Sequence, residues 1–184
     1  VAEVLDDLAA LRIAVFQEWP YLYDGDLGYE AEYLASYRGV AGAIIVTATA
    51  EGQIVGAASG MPLTDHADDF GTTLENAGYD PGNVFYCAES VLLPAYRNQG
   101  AGHRFFEERE AQARALGQRY AAFARVLRPT DHPAKAIHYR PLDSFWRKRG
   151  YGPVQDGITS FEWRDIGESE TSAKPLALWI KDLQ

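Results

Sequence analysis

A glycine-rich segment follows a long apolar strand in the middle of the chain. The strand is predicted over 83–93 and ends at Pro94, and the segment that follows contains Arg97-Asn98-Gln99-Gly100-Ala101-Gly102. A helix is predicted to begin at Gly100, and the first turn of a helix leaves about four backbone N–H groups without helical partners. Because glycine has no Cβ and the helix dipole adds positive charge, an anion can lie directly against this backbone. The segment therefore predicts a phosphate-binding loop, with Arg97 nearby to add charge.

Other ligand-binding motifs are excluded by the same residues. No Lys-Ser/Thr pair follows the glycines, so the loop is not a Walker A site, and the glycine order is not the G-x-G-x-x-G of dinucleotide-binding folds. Cys87 is the only cysteine, which rules out a disulfide within one chain. The four histidines are scattered without the spacing of metal ligands, so we expect no metal site.

The hydrophobic periodicity predicts alternating helices and strands. Helices are predicted over 1–18, 29–37, 65–77, 100–116 and 142–149, and strands over 43–50, 54–61, 83–93, 120–126, 159–165 and 176–180. The first two strands flank Glu51-Gly52-Gln53 and are expected to form a hairpin. This order predicts an α/β domain of the α+β type, with a central, mostly antiparallel mixed sheet flanked by helices. Its 184 residues fit a single domain over 1–184.

Charge is unevenly divided along the chain, although the net charge is −9. Residues 1–96 carry fifteen acidic and two basic side chains, whereas residues 97–150 carry twelve basic and five acidic ones. The acidic total disfavours nucleic acid as a partner. No apolar run approaches the ~20 residues that span a bilayer, and no secretory signal is visible at Val1. We therefore expect no membrane partner and a cytoplasmic location, which a single cysteine also fits.

Three segments resemble one enzyme family, and order and spacing agree with it over residues 40–165. Leu92–Gly102 matches the V-x-P-x-x-R/Q-x-x-G-x-G/A acetyl-CoA signature of the GNAT superfamily of N-acetyltransferases. Phe145–Tyr151 is similar to the late F/L-Y-x-x-x-G-F element, and Ile44–Gly60 resembles the second and third strands. The family's first strand is not found, so we expect it either before Val1 or not at all.

The resemblance implies a GNAT-like fold and an acetyl-CoA-dependent N-acetyltransferase. In that reaction the acetyl group passes from acetyl-CoA directly to a primary amine of a small molecule or peptide, within a ternary complex. Two other functions stay open: a non-catalytic acyl-CoA-binding regulatory module on the same fold, and an acyltransferase with another acyl chain or acceptor. A homodimer is also left open.

The resemblance assigns coenzyme contacts to particular residues. The backbone N–H groups expected at the pyrophosphate are those of Asn98, Gln99, Gly100, Ala101 and Gly102. The strand edge at Val91 and Leu92 would pair with the pantetheine amides. Trp146 would lie near the thioester sulfur, where the family usually has a tyrosine proposed as the general acid, and an indole is a poor acid. Tyr139 stands seven residues earlier, and it is the candidate to contact the coenzyme or to supply the missing hydroxyl.

Amine acetylation requires that an ammonium lose a proton before it attacks the thioester. Glu89 is the candidate base, because it lies in an apolar strand three residues before Leu92, where burial would raise its pKa. The alternative is an edge carboxylate that is satisfied by hydrogen bonds or by solvent. Strand alternation predicts that Cys87 shares the face of Glu89 and is a small core residue.

The acceptor is expected to contact the loop between the first two helices, because the resemblance places that loop at the acceptor site. Its aromatic residues are Trp19, Tyr21 and Tyr23. Aromatic faces among Glu18, Asp24 and Asp26 would suit a cationic amine. The alternative is apolar packing between the two helices.

Overall fold

A computed structural model describes residues 2–66 and 70–184 of the chain, with side chains from residue 6 onward. The elements in chain order are α1 (Ala2–Phe16), α2 (Leu27–Ala35), β1 (Ile44–Ala50), β2 (Gln53–Pro62), α3 (Phe70–Asn76), β3 (Val84–Leu92), α4 (Ala101–Ala115), β4 (Tyr120–Val126), α5 (Asp143–Lys148), β5 (Gly152–Trp163) and β6 (Ser172–Asp182). The predicted helix over 65–77 is present in part as α3, and residues 67–69 lie outside the described residues. No helix in the described ranges is long and apolar enough to cross a bilayer.

The strands form one six-stranded sheet in the order β1-β2-β3-β4-β6-β5. Every neighbouring pair is antiparallel except β3 and β4, which confirms the predicted mostly antiparallel mixed sheet flanked by helices. The β1–β2 hairpin is also confirmed. Glu51 and Gly52 both adopt positive φ, as the tight two-residue turn between antiparallel strands requires.

Helices cover both faces of the sheet. On one face, α4 and α5 pack on β3 and β4 through a cluster that includes Phe85, Phe106 and Phe123. On the other face, α1 and α2 pack through Leu8 and Leu34, and α3 packs beside them. The helix α4 also buries charged residues that its apolar pattern does not predict, while Leu116, predicted on the buried face, is 40% exposed.

The last two strands are longer than their patterns predict. The sequence indicates strands over 159–165 and 176–180, whereas β5 begins at Gly152 and β6 spans Ser172–Asp182. The register of β5 against β6 shifts between Pro153 and Ile158, so the regular alternation of side chains breaks there. The part of β5 that the sequence pattern does not predict is this irregular first half.

The sheet opens between β3 and β4. The two strands pair only over Val84–Tyr86 and Tyr120–Ala122. The pairing of β3 with β2 is irregular next to this point. From the pair Ser59↔Glu89 to the pair Met61↔Tyr86 the chain advances by two residues in β2 but by three in β3, so β3 carries one extra residue. A bulge of this kind bends the strand that carries it. Beyond it β3 continues with β2 alone and β4 with β6 alone, which leaves a gap in the middle of the sheet.

Candidate functional site

The free edge of β3 borders this gap. Leu93 N–H donates to the carbonyl of Val55 at 2.9 Å. Because backbone groups alternate in direction along an antiparallel strand, those of Leu92 and Ser90 point away from β2 and into the gap. Ser90 is accordingly exposed in the middle of the sheet. Val91 has its backbone turned towards β2 and its side chain buried beneath α1, so of the two predicted edge residues it is Leu92 that faces the gap.

The predicted phosphate loop connects this edge to the start of α4. Asn98 and Gly100 both adopt positive φ, and Gly100 is the N-cap residue of α4. The carbonyl of Gly100 accepts the first helical bonds, from the N–H groups of His103 and Arg104 at 3.0 and 3.2 Å. The N–H groups of Ala101 and Gly102 therefore precede the first helical bond and are available at the positive end of the helix dipole.

Arg97 lies between this loop and the end of α1. Its Nε donates to the carbonyl of Leu92 at 3.0 Å, and its Nη2 donates to Glu18 at 2.9 Å. Both side chains of this ion pair are about 40% exposed, and exposed pairs of this kind contribute little to stability. The guanidinium can therefore leave Glu18 for a phosphate at small cost.

A cavity of about 530 Å³ lies on the α1 side of the gap. Both separated strands contribute to it, β3 through Ala88 and Glu89 and β4 through Ala124 and Val126. Its aromatic lining consists of Phe16, Tyr21, Tyr23, Tyr29, Tyr33, Phe70, Tyr86, Phe161 and Trp163. Tyr21 and Tyr23 thus line the cavity, whereas Trp19 is not among its lining residues. The Trp19 ring lies instead 5.0 Å from the ring of His132 and 6.2 Å from that of Tyr139.

A long-range ion pair holds the aromatic loop against the sheet. Arg128 binds the carboxylate of Asp165 with two nitrogens, at 2.6 and 2.8 Å. The same guanidinium donates to the carbonyls of Pro20 and Tyr21 at 2.8 and 2.6 Å. The sequence gives no signal for this role, because the partners are separated by 37 and more than 100 residues.

Glu89 lies in the cavity wall within a saturated set of hydrogen bonds. Its Oε1 is 2.8 Å from Nη1 of Arg12 and accepts from Ser59 Oγ at 2.6 Å, and its Oε2 accepts from Tyr33 OH at 2.9 Å. Burial by itself would raise the pKa of Glu89, but the charge of Arg12 and these hydrogen bonds outweigh burial and lower it. The expectation of a raised pKa is therefore wrong, and the alternative of a carboxylate satisfied by hydrogen bonds describes Glu89.

The tyrosines around Glu89 have the opposite shift. Burial, the charge of Glu89 and the phenol of Tyr139 raise the pKa of Tyr21 to about 12. Burial and Glu89 also raise the pKa of Tyr33, whose hydroxyl lies 3.1 Å from that of Tyr37. These phenols stay protonated at neutral pH and can act only as hydrogen-bond donors to the carboxylate or to a ligand.

Cys87 does not share a face with Glu89. The thiol is buried on the α4 side with Phe85, whereas Glu89 faces α1. The bulge in β3 explains the difference, because one extra residue reverses the two-residue alternation between these positions. Cys87 is a core residue, as expected, and burial raises the pKa of its thiol.

Arg109 supports the bulge from the α4 side. It is 1% exposed, and its Nη1 donates to the carbonyls of Ser59 and Glu89 at 3.2 and 2.9 Å. Its Nη2 donates to Ser90 Oγ at 2.8 Å. These carbonyls lie where the β2–β3 register shifts, so the guanidinium supplies the donors that the interrupted ladder lacks. This role of Arg109 was not predicted from the sequence, in which the available signal is an arginine on the apolar face of a predicted helix.

Trp146 and Tyr139 lie in different surroundings. Trp146 packs against Phe123 of β4 and Trp179 of β6, with ring centroids 4.9 and 5.3 Å apart, on the α4 and α5 face. Tyr139 is half-buried in the loop before α5. Burial and Asp143 raise the pKa of Tyr139 against the lowering effect of Arg125, so its phenol is a proton donor at neutral pH.

The fold is shared with solved structures of low sequence identity. The ribosomal-protein-alanine N-acetyltransferase of Brucella melitensis is similar with a TM-score of 0.64 and 16% identity, over 99% of this chain and 96% of that one. The yncA protein of Salmonella typhimurium, solved with its cofactor acetyl-CoA, is similar with a TM-score of 0.63 and 10% identity, over 100% and 91%. A GphF GNAT-like decarboxylase in complex with isobutyryl-CoA has a TM-score of 0.63 and 20% identity, over 100% and 97%.

Sequence comparison identifies the family. No curated protein matches the chain. The model of the acetyltransferase (GNAT) family matches residues 8–143, which include the aromatic loop, the hairpin, the bulged strand and the phosphate loop. Since this match covers most of the chain and the fold agrees with it, the protein belongs to the acetyltransferase (GNAT) family.

Proposed function

We propose that the protein is an N-acetyltransferase that moves an acetyl group from acetyl-CoA to a primary amine of a small molecule or peptide. The observation that carries this proposal is the position of β3. Its free edge leads at Leu92 into the loop before α4, and its Ala88 and Glu89 line the acidic cavity on the α1 side. A coenzyme on the edge and an acceptor in the cavity would therefore meet at one strand, as direct transfer in a ternary complex requires.

The coenzyme side of the proposal uses backbone groups. The N–H groups of residues 98–102 bind the pyrophosphate, and Arg97 moves from Glu18 to add its charge. The backbone of Ser90 and Leu92 pairs with the pantetheine amides along the free edge. These residues fit the group, since Ser90 and the N–H of Leu92 face the gap, the carbonyl of Leu92 is bonded by the side chain of Arg97, which is proposed to move, and a Cβ at Gly100 would meet no atom within 4 Å.

The acceptor side of the proposal uses charge. The cavity is lined by five carboxylates, those of Asp24, Asp26, Glu30, Glu89 and Glu162, and by two guanidinium groups, those of Arg12 and Arg164. This excess of negative charge attracts a cationic acceptor, and the aromatic rings of Tyr21 and Tyr23 suit the same ligand.

The two proton transfers are assigned to different residues. A carboxylate with a lowered pKa is a poor base for an ammonium, since each pKa unit between them costs about 1.36 kcal/mol. We therefore assign Glu89 to attracting and orienting the acceptor, which reacts from its neutral fraction or through water. Tyr139 is the candidate to protonate the departing thiolate, because Trp146 has no acidic group and its ring packs against Phe123.

A coenzyme A release assay on a panel of primary amines tests the proposal, with product mass as the second readout. Acetyl-CoA and isobutyryl-CoA are compared as donors, because one structural neighbour holds isobutyryl-CoA. An acetylated amine that forms only with the enzyme supports the proposal. Tight acetyl-CoA binding without turnover of any amine favours the non-catalytic module. That alternative stays open because Trp146 stands where the family usually has the tyrosine proposed as general acid. A preference for isobutyryl-CoA over acetyl-CoA would indicate an acyltransferase that transfers another acyl chain.

A further inference from the structure

Of the four histidines in the sequence, His66 is the one that lines the cavity in the part of the chain that the structure describes. It follows β2 after a short turn, in which its N–H donates to the carbonyl of Leu63 at 3.1 Å. The centroid of its ring lies 4.7 Å from that of Tyr86 and 6.0 Å from that of Phe70. Both of these rings are buried, whereas His66 is partly exposed. The core thus holds an imidazole at the surface of the cavity.

The contact with Tyr86 places this imidazole at the closed end of the gap between β3 and β4. Tyr86 is the last residue of β3 that pairs with β4, opposite Ala122, and it pairs with Met61 of β2 beside the bulge. Beyond it the free edge of β3 leads to Leu92 and the phosphate loop. A thioester that follows this edge from the loop would approach the closed end, and His66 lies there on the cavity side.

The other titratable groups of the cavity are less suited to take a proton from an ammonium. They are its five carboxylates, its two guanidinium groups and the phenols of Tyr21, Tyr23, Tyr29, Tyr33 and Tyr86. Glu89 is a weak base because Arg12 and hydrogen bonds lower its pKa, and the raised pKa values of Tyr21 and Tyr33 keep these phenols protonated. A guanidinium has no acceptor atom. Histidine, in contrast, is the residue type that changes charge between about pH 5 and 8.

We infer that His66 is the general base that takes a proton from the acceptor ammonium, directly or through one water. An N–H bond of the ammonium breaks as the imidazole gains the proton, and the neutral amine forms the C–N bond while the C–S bond of the thioester breaks. A second proton leaves the nitrogen as the amide forms, which balances the proton that Tyr139 gives to the thiolate. The imidazolium, stabilised by the excess of carboxylates in the cavity, then releases its proton to solvent. This inference rests on the proposed function and adds the base that it lacks.

His66→Gln tests the inference through the pH dependence of kcat at saturating acetyl-CoA and amine. The wild-type rate should fall as the imidazole becomes protonated at acid pH. In His66→Gln, kcat at neutral pH should be lower by roughly a hundredfold or more and should rise only with the ionisation of the amine itself. His132→Gln, which removes an imidazole 5.0 Å from the Trp19 ring, should keep the wild-type rate and profile. An unchanged kcat and profile in a folded His66→Gln would overturn the inference and leave the proposed function standing.

Chemical rescue separates a base from a residue that only packs. Added imidazole should restore several-fold of the lost kcat in His66→Ala and should have no effect on His132→Ala, because only the first variant lacks the base. Calorimetry with acetyl-CoA checks that both variants are folded, and their affinities should equal that of the wild type. An acidic limb that persists in His66→Ala without rescue would show that His66 only packs against Tyr86, and would overturn the inference. A wild-type protein that acetylates no amine would overturn the proposed function and the inference together.

Discussion

Nη1 of Arg12 and Oε1 of Glu89 lie 2.8 Å apart, and this ion pair joins the first helix to the strand that borders both the gap and the cavity. Burial would lower the pKa of Arg12, but Glu89, Tyr33 and Glu30 together raise it. The same contact lowers the pKa of Glu89. The pair is therefore charged on both sides at neutral pH, and the cavity wall carries a fixed carboxylate.

Glu89→Gln tests whether this carboxylate acts as the base. We expect turnover at saturating substrates to fall, because the acceptor loses an orienting charge, while acetyl-CoA affinity is retained. The pH–rate profile between pH 6 and 9 should keep its shape, since the lowered pKa places the titration of Glu89 below about 4.5. Loss of a limb of the profile in Glu89→Gln would instead identify Glu89 as the base.

The same pKa shift predicts how stability depends on pH. The ionised form of Glu89 is favoured in the folded state. Its contribution to the free energy of unfolding is therefore fully present above the unfolded pKa of about 4.5 and is lost as the pH falls through the lower folded pKa. Urea unfolding should show wild type more stable than Glu89→Gln by about 2 kcal/mol at pH 7, with the difference shrinking at acid pH. Glu75→Gln, at an exposed position on α3, is the control. A difference that does not change with pH would contradict the lowered pKa.

Gly102→Glu tests the phosphate loop. A Cβ at this position would lie 3.7 Å from the ring of Phe145, an ordinary contact, so the free protein should fold. A carboxylate in the first turn of α4 stabilises the helix but repels a pyrophosphate, so we expect acetyl-CoA affinity to fall by roughly tenfold or more with no loss of Tm. Gly102→Gln separates charge from size. Unchanged affinity of the Glu variant on calorimetry would remove the loop as the phosphate site.

Arg109→Met tests the support of the bulge. The substitution keeps much of the apolar packing but leaves the carbonyls of Ser59 and Glu89 without their donor. The free energy of unfolding should fall by about 3 kcal/mol. Arg104→Met, on the same helix and with its side chain 70% exposed, should change stability by less than about 0.5 kcal/mol. Equal effects of the two substitutions in urea unfolding would show that the bulge does not depend on Arg109.

Tyr139→Phe tests the source of the proton for the thiolate. If the phenol supplies it, kcat should fall by roughly a hundredfold with KM for acetyl-CoA unchanged. The raised pKa of Tyr139 predicts no loss of wild-type rate from its ionisation below pH 10. Tyr120→Phe, which changes a ring packed against Tyr79, is the control. A rise in KM for acetyl-CoA at constant kcat would show that Tyr139 contacts the coenzyme instead.

Most elements and the glycine turn before α4 were predictable because they depend on short stretches of sequence. Pro94 ends β3, and Gly100 supplies the positive φ that precedes α4. Glu51 and Gly52 form the turn of the hairpin between β1 and β2. In each case the residues that determine the structure are neighbours in the chain.

The chemical environment of the cavity was not predictable in the same way. Glu89 was identified as a carboxylate in an apolar strand, but its lowered pKa depends on Arg12, which lies 77 positions earlier in the sequence. The opposite faces of Cys87 and Glu89 depend on one extra residue in β3, which the alternation of apolar residues does not reveal. A pattern of spacing carries no information about which distant charge will be buried beside a residue.

The sequence by itself thus determined the sheet, the helices and the glycine turn that opens α4, because local turns and periodicity fix them. Only the tertiary structure decided that β3 and β4 separate, that Arg128 holds the aromatic loop, and that Arg12 pairs with Glu30 and Glu89 in the cavity wall. These features arise where segments far apart in the chain pack together, and their energies depend on burial and charge pairing that exist only in the folded molecule.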